Sequence, residues 1–368
     1  MKYYLIAGEA SGDMHGANLM RAILSNDARA TFRFWGGDRM GELGGTPVVH
    51  YRHMAFMGFW EVIKNLRTIS RFLNQCKQDI KAFQPDVLVL IDYPGFNMRM
   101  AAYAKTLNIK VAYYISPQVW AWKKNRVFKL KRTVDEMITI LPFEKEFYAG
   151  FDMPVHYVGH PLIDAIENVG QWKAKAPDDW QKSNAIIALL PGSRKQEIEA
   201  MLPVMLKVRR HFPNYRFILA QAPSQTDAFY DALIGDAEIE RCREATYPLL
   251  ACASAALVAS GTATLETALF KVPEVVCYKG SAISYAIARQ LVKIKFISLV
   301  NLVVNREMVK ELIQNNFNEK QVRANLQDLL DPTRRKQIAK DYAELESILG
   351  GGGASQRAAE IVVRLAQA

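Results

Sequence analysis

The sequence predicts an α/β chain built from two doubly wound domains, each a parallel sheet wrapped by helices on both faces. Three observations predict it. Short apolar runs alternate with helical patterns along most of the chain, the signature of parallel sheets with helical crossovers. A strand followed by a Gly/Ser turn and a helix start recurs at Gly8–Asp13, Pro191–Arg194 and Ser260–Thr262. Finally, 368 residues is long for one core, and the polar, Trp-spaced stretch 167–183 separates two runs of strands. The expected division is 1–162, 163–349, and a tail 350–368 made of a four-glycine linker and a last helix.

In the first half, strands are expected at Tyr3–Gly8, Thr31–Trp35, Pro47–His50, Asp86–Ile91, Lys110–Ile115, Glu136–Ile140 and Val155–Val158. The first runs into Gly8-Glu9-Ala10-Ser11-Gly12-Asp13 and a helix reaching about Leu24. Its glycines miss the GxGxxG spacing and it lacks the GK[ST] of a P-loop. What remains is a loop carrying Glu9, Ser11 and Gly12 at a strand's carboxyl end, where open α/β sheets bind ligands; a simple turn fits equally. Between the third and fourth strands, Phe59, Val62, Ile63, Leu66, Ile69, Phe72 and Leu73 fall at helical spacing. Phe56 and Trp60 lie at the start, and Lys64, Arg67, Arg71 and Lys77 flank the stripe. A basic amphipathic helix with aromatics at its start fits a membrane interface, and a helix packed on its own sheet fits the same pattern. The fourth strand delivers Asp92-Tyr93-Pro94-Gly95-Phe96-Asn97 to the ligand edge, placing Asp92 as a general base or as a helix cap. The next strand ends in a loop with Trp120 and Trp122, residues fit for a sugar or acyl site or for the core.

The second half opens with Ala185–Leu190 and the turn Pro191-Gly192-Ser193-Arg194, where a planar guanidinium beside a helix start suits a diphosphate. Strands at Arg216–Ala220, Ala255–Ala259 and Glu274–Tyr278 follow. After the third of these, Ser260-Gly261-Thr262 leads into a helix carrying Glu266 one turn in. Gly261 and Thr262 are placed for an anion and Glu266 for sugar hydroxyls, the requirements of a nucleotide, although an ordinary capping turn has the same local pattern. Asn301 is a candidate sugar or phosphate contact or a turn residue, and helical segments are expected from there to Leu349.

Composition narrows the function. No apolar run approaches the ~18 residues needed to span a bilayer. Residues 1–8 lack the features of a signal peptide, so a cytoplasmic protein is expected. The four cysteines form no CxxC pair, and no Asp-x-Asp pair or His cluster offers a metal site, so neither metal nor cofactor is expected. The net charge of +10 suits phosphorylated or anionic partners. Six Lys or Arg residues and no acid lie between Lys123 and Arg132, without the stacked aromatics of an RNA-binding module, so nucleic acid is not expected. Two such domains place a donor in the cleft between them, with the leaving diphosphate held by helix N-termini and Arg194. This is the design of a metal-independent nucleotide-sugar glycosyltransferase; a UDP-sugar 2-epimerase and a non-catalytic sugar-nucleotide sensor share the same frame.

Gly8–Asp13, Ile91-Asp92-Tyr93-Pro94, Ser116–Trp122, Leu141-Pro142-Phe143-Glu144, Leu190–Arg194 and Ser260–Glu266, in this order over nearly the whole chain, resemble the lipid A disaccharide synthases of Gram-negative bacteria. The resemblance implies two Rossmann-like domains of the GT-B type. It implies inverting transfer of 2,3-diacylglucosamine from UDP to the 6-hydroxyl of 2,3-diacylglucosamine 1-phosphate, giving a β-1,6 disaccharide and UDP. It assigns the base to Asp92, the diphosphate grip to Arg194, and UDP contacts to Ser193, Thr262, Glu266 and Asn301. Gly95 stands where many relatives carry a second aspartate. The resemblance also makes the Phe56–Phe72 segment the membrane-binding helix of a peripheral inner-membrane enzyme, and the Lys123–Arg132 run a surface for headgroups or acceptor phosphate. It allows a homodimer with exchanged C-terminal segments.

Overall fold

The structure, a computed structural model, describes residues 1–54, 66–166, 169–281 and 295–368. The chain falls into two compact units, Met1–Asp164 with Gly351–Ala368, and Ala165–Gly350.

The first unit is a seven-stranded parallel sheet with strands β1 (Lys2–Ala7), β2 (Thr31–Gly36), β3 (Thr46–His50), β4 (Val87–Ile91), β5 (Lys110–Tyr114), β6 (Glu136–Thr139) and β7 (His156–Tyr157), in the order β3-β2-β1-β4-β5-β6-β7. Tyr3–Ala7 and Val87–Ile91 are buried along their whole length because helices cover both faces of the sheet. The strand order reverses between β1 and β4, which pair in parallel from Tyr3↔Val87 to Ala7↔Ile91. Such a reversal sends successive crossovers to opposite faces and leaves a crevice at the carboxyl edge. The terminal helix Ala354–Gln367 packs on the Ala10–Asn26 helix. Buried Gly12, Gly16, Ala17, Ala354, Ala358 and Ala359 bring small side chains to these two helices. The Asp164 carboxylate caps the terminal helix, accepting from the N–H of Gly353 (2.6 Å), Ala354 (3.4 Å) and Ser355 (2.9 Å).

The second unit repeats the plan. Its strands β8 (Ile186–Leu190), β9 (Arg216–Gln221), β10 (Glu240–Arg243), β11 (Ala255–Ala259), β12 (Glu274–Tyr278) and β13 (Lys310–Ile313) lie in the order β10-β9-β8-β11-β12-β13, all parallel, with the reversal between β8 and β11. The two edge strands differ from expectation. Glu-Arg-Cys-Arg and Lys-Glu-Leu-Ile carry no continuous apolar run, because an edge strand is covered less and carries charge, so β10 left no signal and the region of β13 read as helical. Among the described residues, no helix is long and apolar enough to cross a membrane.

Glu274 sits at the start of β12, fully buried, with no hydrogen-bond partner for either carboxylate oxygen among the described residues. It lines a cavity of about 100 Å³ with Ile338 and Tyr342. Burial raises its pKa well above the usual glutamate range. Below that range both folded and unfolded chains carry the proton; above it the unfolded chain ionises first, so stability falls as pH rises. Replacing Glu274→Met should therefore raise the melting temperature of this unit at pH 8, by about 2–4 °C per kcal/mol recovered. The gain should shrink towards pH 5, which calorimetric scans at the two pH values would measure.

Candidate active site

In the first unit, the turns after β1 and β4 meet at the reversal. Gly8 must be glycine: a Cβ there would lie 2.3 Å from the Tyr93 ring, so only a bare backbone lets that ring pack across the β1 turn. Glu9 and Ser11 are half-buried at the start of the Ala10–Asn26 helix. Gly12, expected at the ligand, is buried instead; a Cβ there would stand 3.3 Å from that of Ala7, so the residue serves close helix–strand packing. Asp13, a motif residue with no assigned role, accepts from the backbone N–H of Gly37 (2.7 Å), Arg39 (3.2 Å) and Met40 (3.2 Å), and so caps the Asp38–Gly41 helix.

Asp92 and Tyr93 are consecutive non-glycine residues in left-handed backbone, with φ of 44° and 48°. Just across, at the end of β5, Ile115 has φ 62°. Each such residue costs about 1–3 kcal/mol, and strain of this kind clusters where a side chain must be aimed. The Asp92 carbonyl accepts from Asn97 Nδ2 (2.8 Å) and Tyr113 Oη (2.7 Å), and Tyr93 Oη donates to the Met54 carbonyl (2.9 Å). Asp92 does not cap the following helix; Tyr93 holds that position, with Pro94 opening the Pro94–Thr106 helix. The Asp92 residue keeps some solvent contact, but protein packs densely around its carboxyl group. That desolvation, with the like charge of Glu9 second, pushes its pKa up to about 7, the range a base needs at neutral pH. Gly95 is exposed, and a Cβ there would meet nothing within 4 Å, so a second carboxylate is absent without steric cause.

Nearby, Trp120 packs edge-on against Phe143 at 4.9 Å. Trp122 is exposed, with Lys123 Nζ 4.3 Å from its ring centroid. Of the expected membrane residues, Phe56, Phe59, Trp60, Val62 and Ile63 lie outside the described residues. Leu66 opens the Leu66–Phe83 helix, and Ile69 is half-buried on it.

The second unit brings its two turns together in the same way, since β8 and β11 are neighbours with Leu190 opposite Val258. Gly192 adopts φ +106°, a left-handed geometry that suits glycine, and its Cβ position would lie 3.4 Å from Ala259 Cβ. Ser193 is exposed, and Arg194 immediately precedes the Lys195–Val208 helix. Arg194 Nη1 pairs with Glu197 Oε1 at 2.8 Å on a side chain 51% exposed. An exposed pair of this kind contributes about 0–1 kcal/mol. Gly261 is exposed with open space before it, and the Thr262–Leu269 helix begins immediately after. Glu266 is half-buried, and its Oε1 accepts from Tyr247 Oη at 2.9 Å; that ring packs on Trp172 and Phe270.

Asn301 is placed differently from expectation. Its side chain is fully buried; Nδ2 donates to the Val309 carbonyl and Glu311 Oε1, while Oδ1 accepts from the N–H of Met308 and Val309. All of its hydrogen-bonding capacity is used, so the residue clamps its loop and leaves nothing for a ligand. Glu311, on the unexpected strand β13, also accepts from the N–H of Ile297 and Ser298 and from Ser298 Oγ. Ser260 Oγ donates to the Ile297 carbonyl (2.9 Å), tying this clamp to the turn after β11. No group of His, Cys, Asp and Glu fit to hold a metal is found among the described residues.

The profile of the Lipid-A-disaccharide synthetase family matches residues 3–364. The chain is 38% identical to the lipid-A-disaccharide synthase of Geobacter sulfurreducens, over 98% of this chain and 96% of that one. It is 39% identical to that of Syntrophus aciditrophicus, over 98% and 97%. Among solved structures, it resembles the UDP-GlcNAc 2-epimerase of Neisseria meningitidis bound to UDP-GlcNAc, with a TM-score of 0.69 and 13% identity over 99% of this chain and 100% of that one. It also resembles the glycotransferase of kitacinnamycin, with a TM-score of 0.64 and 14% identity over 99% and 98%. At such identities these two structures share the fold alone.

Replacing Asn301→Ala strands two N–H groups and removes one donor from Glu311, at a cost of about 1–3 kcal/mol. The variant should melt earlier in differential scanning fluorimetry, even with UDP absent.

Proposed function

The chain belongs to the Lipid-A-disaccharide synthetase family, a UDP-sugar glycosyltransferase of lipid A biosynthesis with the GT-B fold, and we propose that Asp92 is the general base of its transfer reaction. The observation that carries this reading is a densely packed carboxyl group on strained left-handed backbone at the carboxyl edge of a parallel sheet, where burial pushes its pKa up to about 7. The acceptor is 2,3-diacylglucosamine 1-phosphate. As its 6-hydroxyl oxygen attacks the anomeric carbon of UDP-2,3-diacylglucosamine, its proton passes to Asp92. The bond from that carbon to the diphosphate breaks, its electron pair leaves with UDP, and the anomeric configuration inverts. In the second unit, the helix starts at Lys195 and Thr262, with Ser193, Gly261 and Arg194, take up the diphosphate charge. Glu266 serves the ribose hydroxyls, with Tyr247 fixing its carboxylate. Family membership sets the epimerase and the sensor aside, since the epimerase likeness is one of fold.

Asp92→Asn should lower kcat by about 10²–10⁴-fold in a folded protein supplied with both substrates, the usual contribution of a general base. A base works unprotonated, so in the unaltered enzyme kcat/KM should climb as pH rises through about 7 and then level, as a pH–rate profile by product mass would show. Near-normal turnover by Asp92→Asn would remove it from the role.

Residues 56–69 are the proposed membrane contact at the cytoplasmic face of the inner membrane, supported by their helical apolar spacing and by the exposed Arg67 and Arg71 beside it. Substituting Trp60, Ile63 and Leu66 by Ser removes about 1.5–3 kcal/mol of apolar burial per side chain. The triple variant should stay in the supernatant when anionic vesicles are sedimented. The Gly350–Gly353 linker lets the terminal helix exchange between two copies, each making the contacts with Asp164 seen within one chain.

A further inference from the structure

We propose that Tyr113 and Asn97 are positioning residues for the transfer reaction, holding the Asp92 turn in the geometry that aims its carboxyl group. The proposal rests on the reading of Asp92 as the base. Two successive left-handed residues are a conformation the chain would leave if released, and relaxing either one turns the Asp92 side chain away from its present direction. The restraint converges on one atom. The Asp92 carbonyl oxygen receives Tyr113 Oη from β5 at 2.7 Å and Asn97 Nδ2 from the Pro94–Thr106 helix at 2.8 Å, so both of its lone pairs are taken. Tyr113 and Asn97 are both fully buried. Asn97 Nδ2 also reaches the carbonyl oxygens of Ile91 (3.2 Å) and Ile6 (3.4 Å), the strand ends on either side of the sheet's reversal. The Asp92 N–H, in turn, donates to the Tyr114 carbonyl at 3.2 Å. The turn is thus tied to β1, β5 and its own helix, and the two side chains supply the ties that a peptide flip would break.

Both side chains are buried and act on a backbone carbonyl, so the effect is expected in turnover rather than in binding. Tyr113→Phe removes one hydroxyl and keeps the ring in the core. It should lower kcat by about 10- to 100-fold, as loss of aim by an ångström does, with KM for both substrates within about twofold. The acid limb of the pH–rate profile should move below 7 as the loosened turn lets water reach the carboxyl group. Circular dichroism fixes the folded fraction, and rates are taken per folded enzyme. A purely structural role predicts a lower melting temperature with kcat and the pH profile unchanged, and that result overturns the proposal. Asn97→Ser, which acts on the other side of the same oxygen, gives the same readout should Tyr113→Phe not fold. Asp92→Asn is run alongside. An inactive Asp92→Asn with a normal Tyr113→Phe refutes the positioning role alone, whereas an active Asp92→Asn refutes both readings.

Discussion

Both units depend on one topological constraint, the reversal of strand order in a parallel sheet. Where β1 meets β4, and again where β8 meets β11, the crossovers depart to opposite faces and leave the carboxyl edge uncovered. Every residue proposed to act on donor or acceptor sits on a turn leaving one of those four strands or in the helix that follows. On the proposed reading, the same arrangement performs different work in the two units. In the second, exposed turns present helix starts and an arginine in an exposed ion pair with Glu197, a surface suited to an anion that must arrive and leave. In the first, the edge is packed and strained, and it raises the proton affinity of one carboxyl group.

The division follows from charge. A diphosphate has to bind, accept further charge as its bond breaks, and dissociate, so a cradle of backbone N–H groups and one flexible cation suits it. A base has to be partly desolvated and held still, and burial accomplishes both while costing stability that the rest of the unit must supply. The absence of a carboxylate at Gly95 sharpens this contrast. Nothing in the space around that glycine prevents one, yet the like charge beside Asp92 comes from Glu9, on the neighbouring turn.

Much of this was legible in the residues. The central strands are continuous apolar runs, and the turns that follow them are marked by glycine, serine and proline, so the two-unit frame and the positions of Asp92, Arg194 and Glu266 could be read directly. The edge strands could not, because Glu240–Arg243 and Lys310–Ile313 carry charges where the central strands carry Leu, Ile and Val. That omission hid a second fact. Asn301 looked free for a ligand because its partner Glu311 lay on a strand whose sequence read as helical. Gly12 shows a similar limit: a glycine that opens space for a ligand and one that lets a helix touch its strand look the same in one dimension. The left-handed backbone at Asp92 and Tyr93 was illegible for a further reason. The sequence does not mark it, because the groups that hold the Asp92 carbonyl, Asn97 Nδ2 and Tyr113 Oη, are brought there by the following helix and by β5.

The cap that Asp164 places on the terminal helix bears on how the molecule is made. Asp164 and Gly353 are 189 positions apart, so the second unit is an insertion within the first, lying between the body of the sheet and the helix that covers it. During synthesis the first sheet emerges early, but the surface of its Ala10–Asn26 helix stays uncovered until the Ala354–Gln367 helix has been made. The inserted unit has all its own strands in continuous sequence and can fold in the interval. The unit that begins first is therefore the one completed last, and until then its uncovered apolar face is what a chaperone would meet.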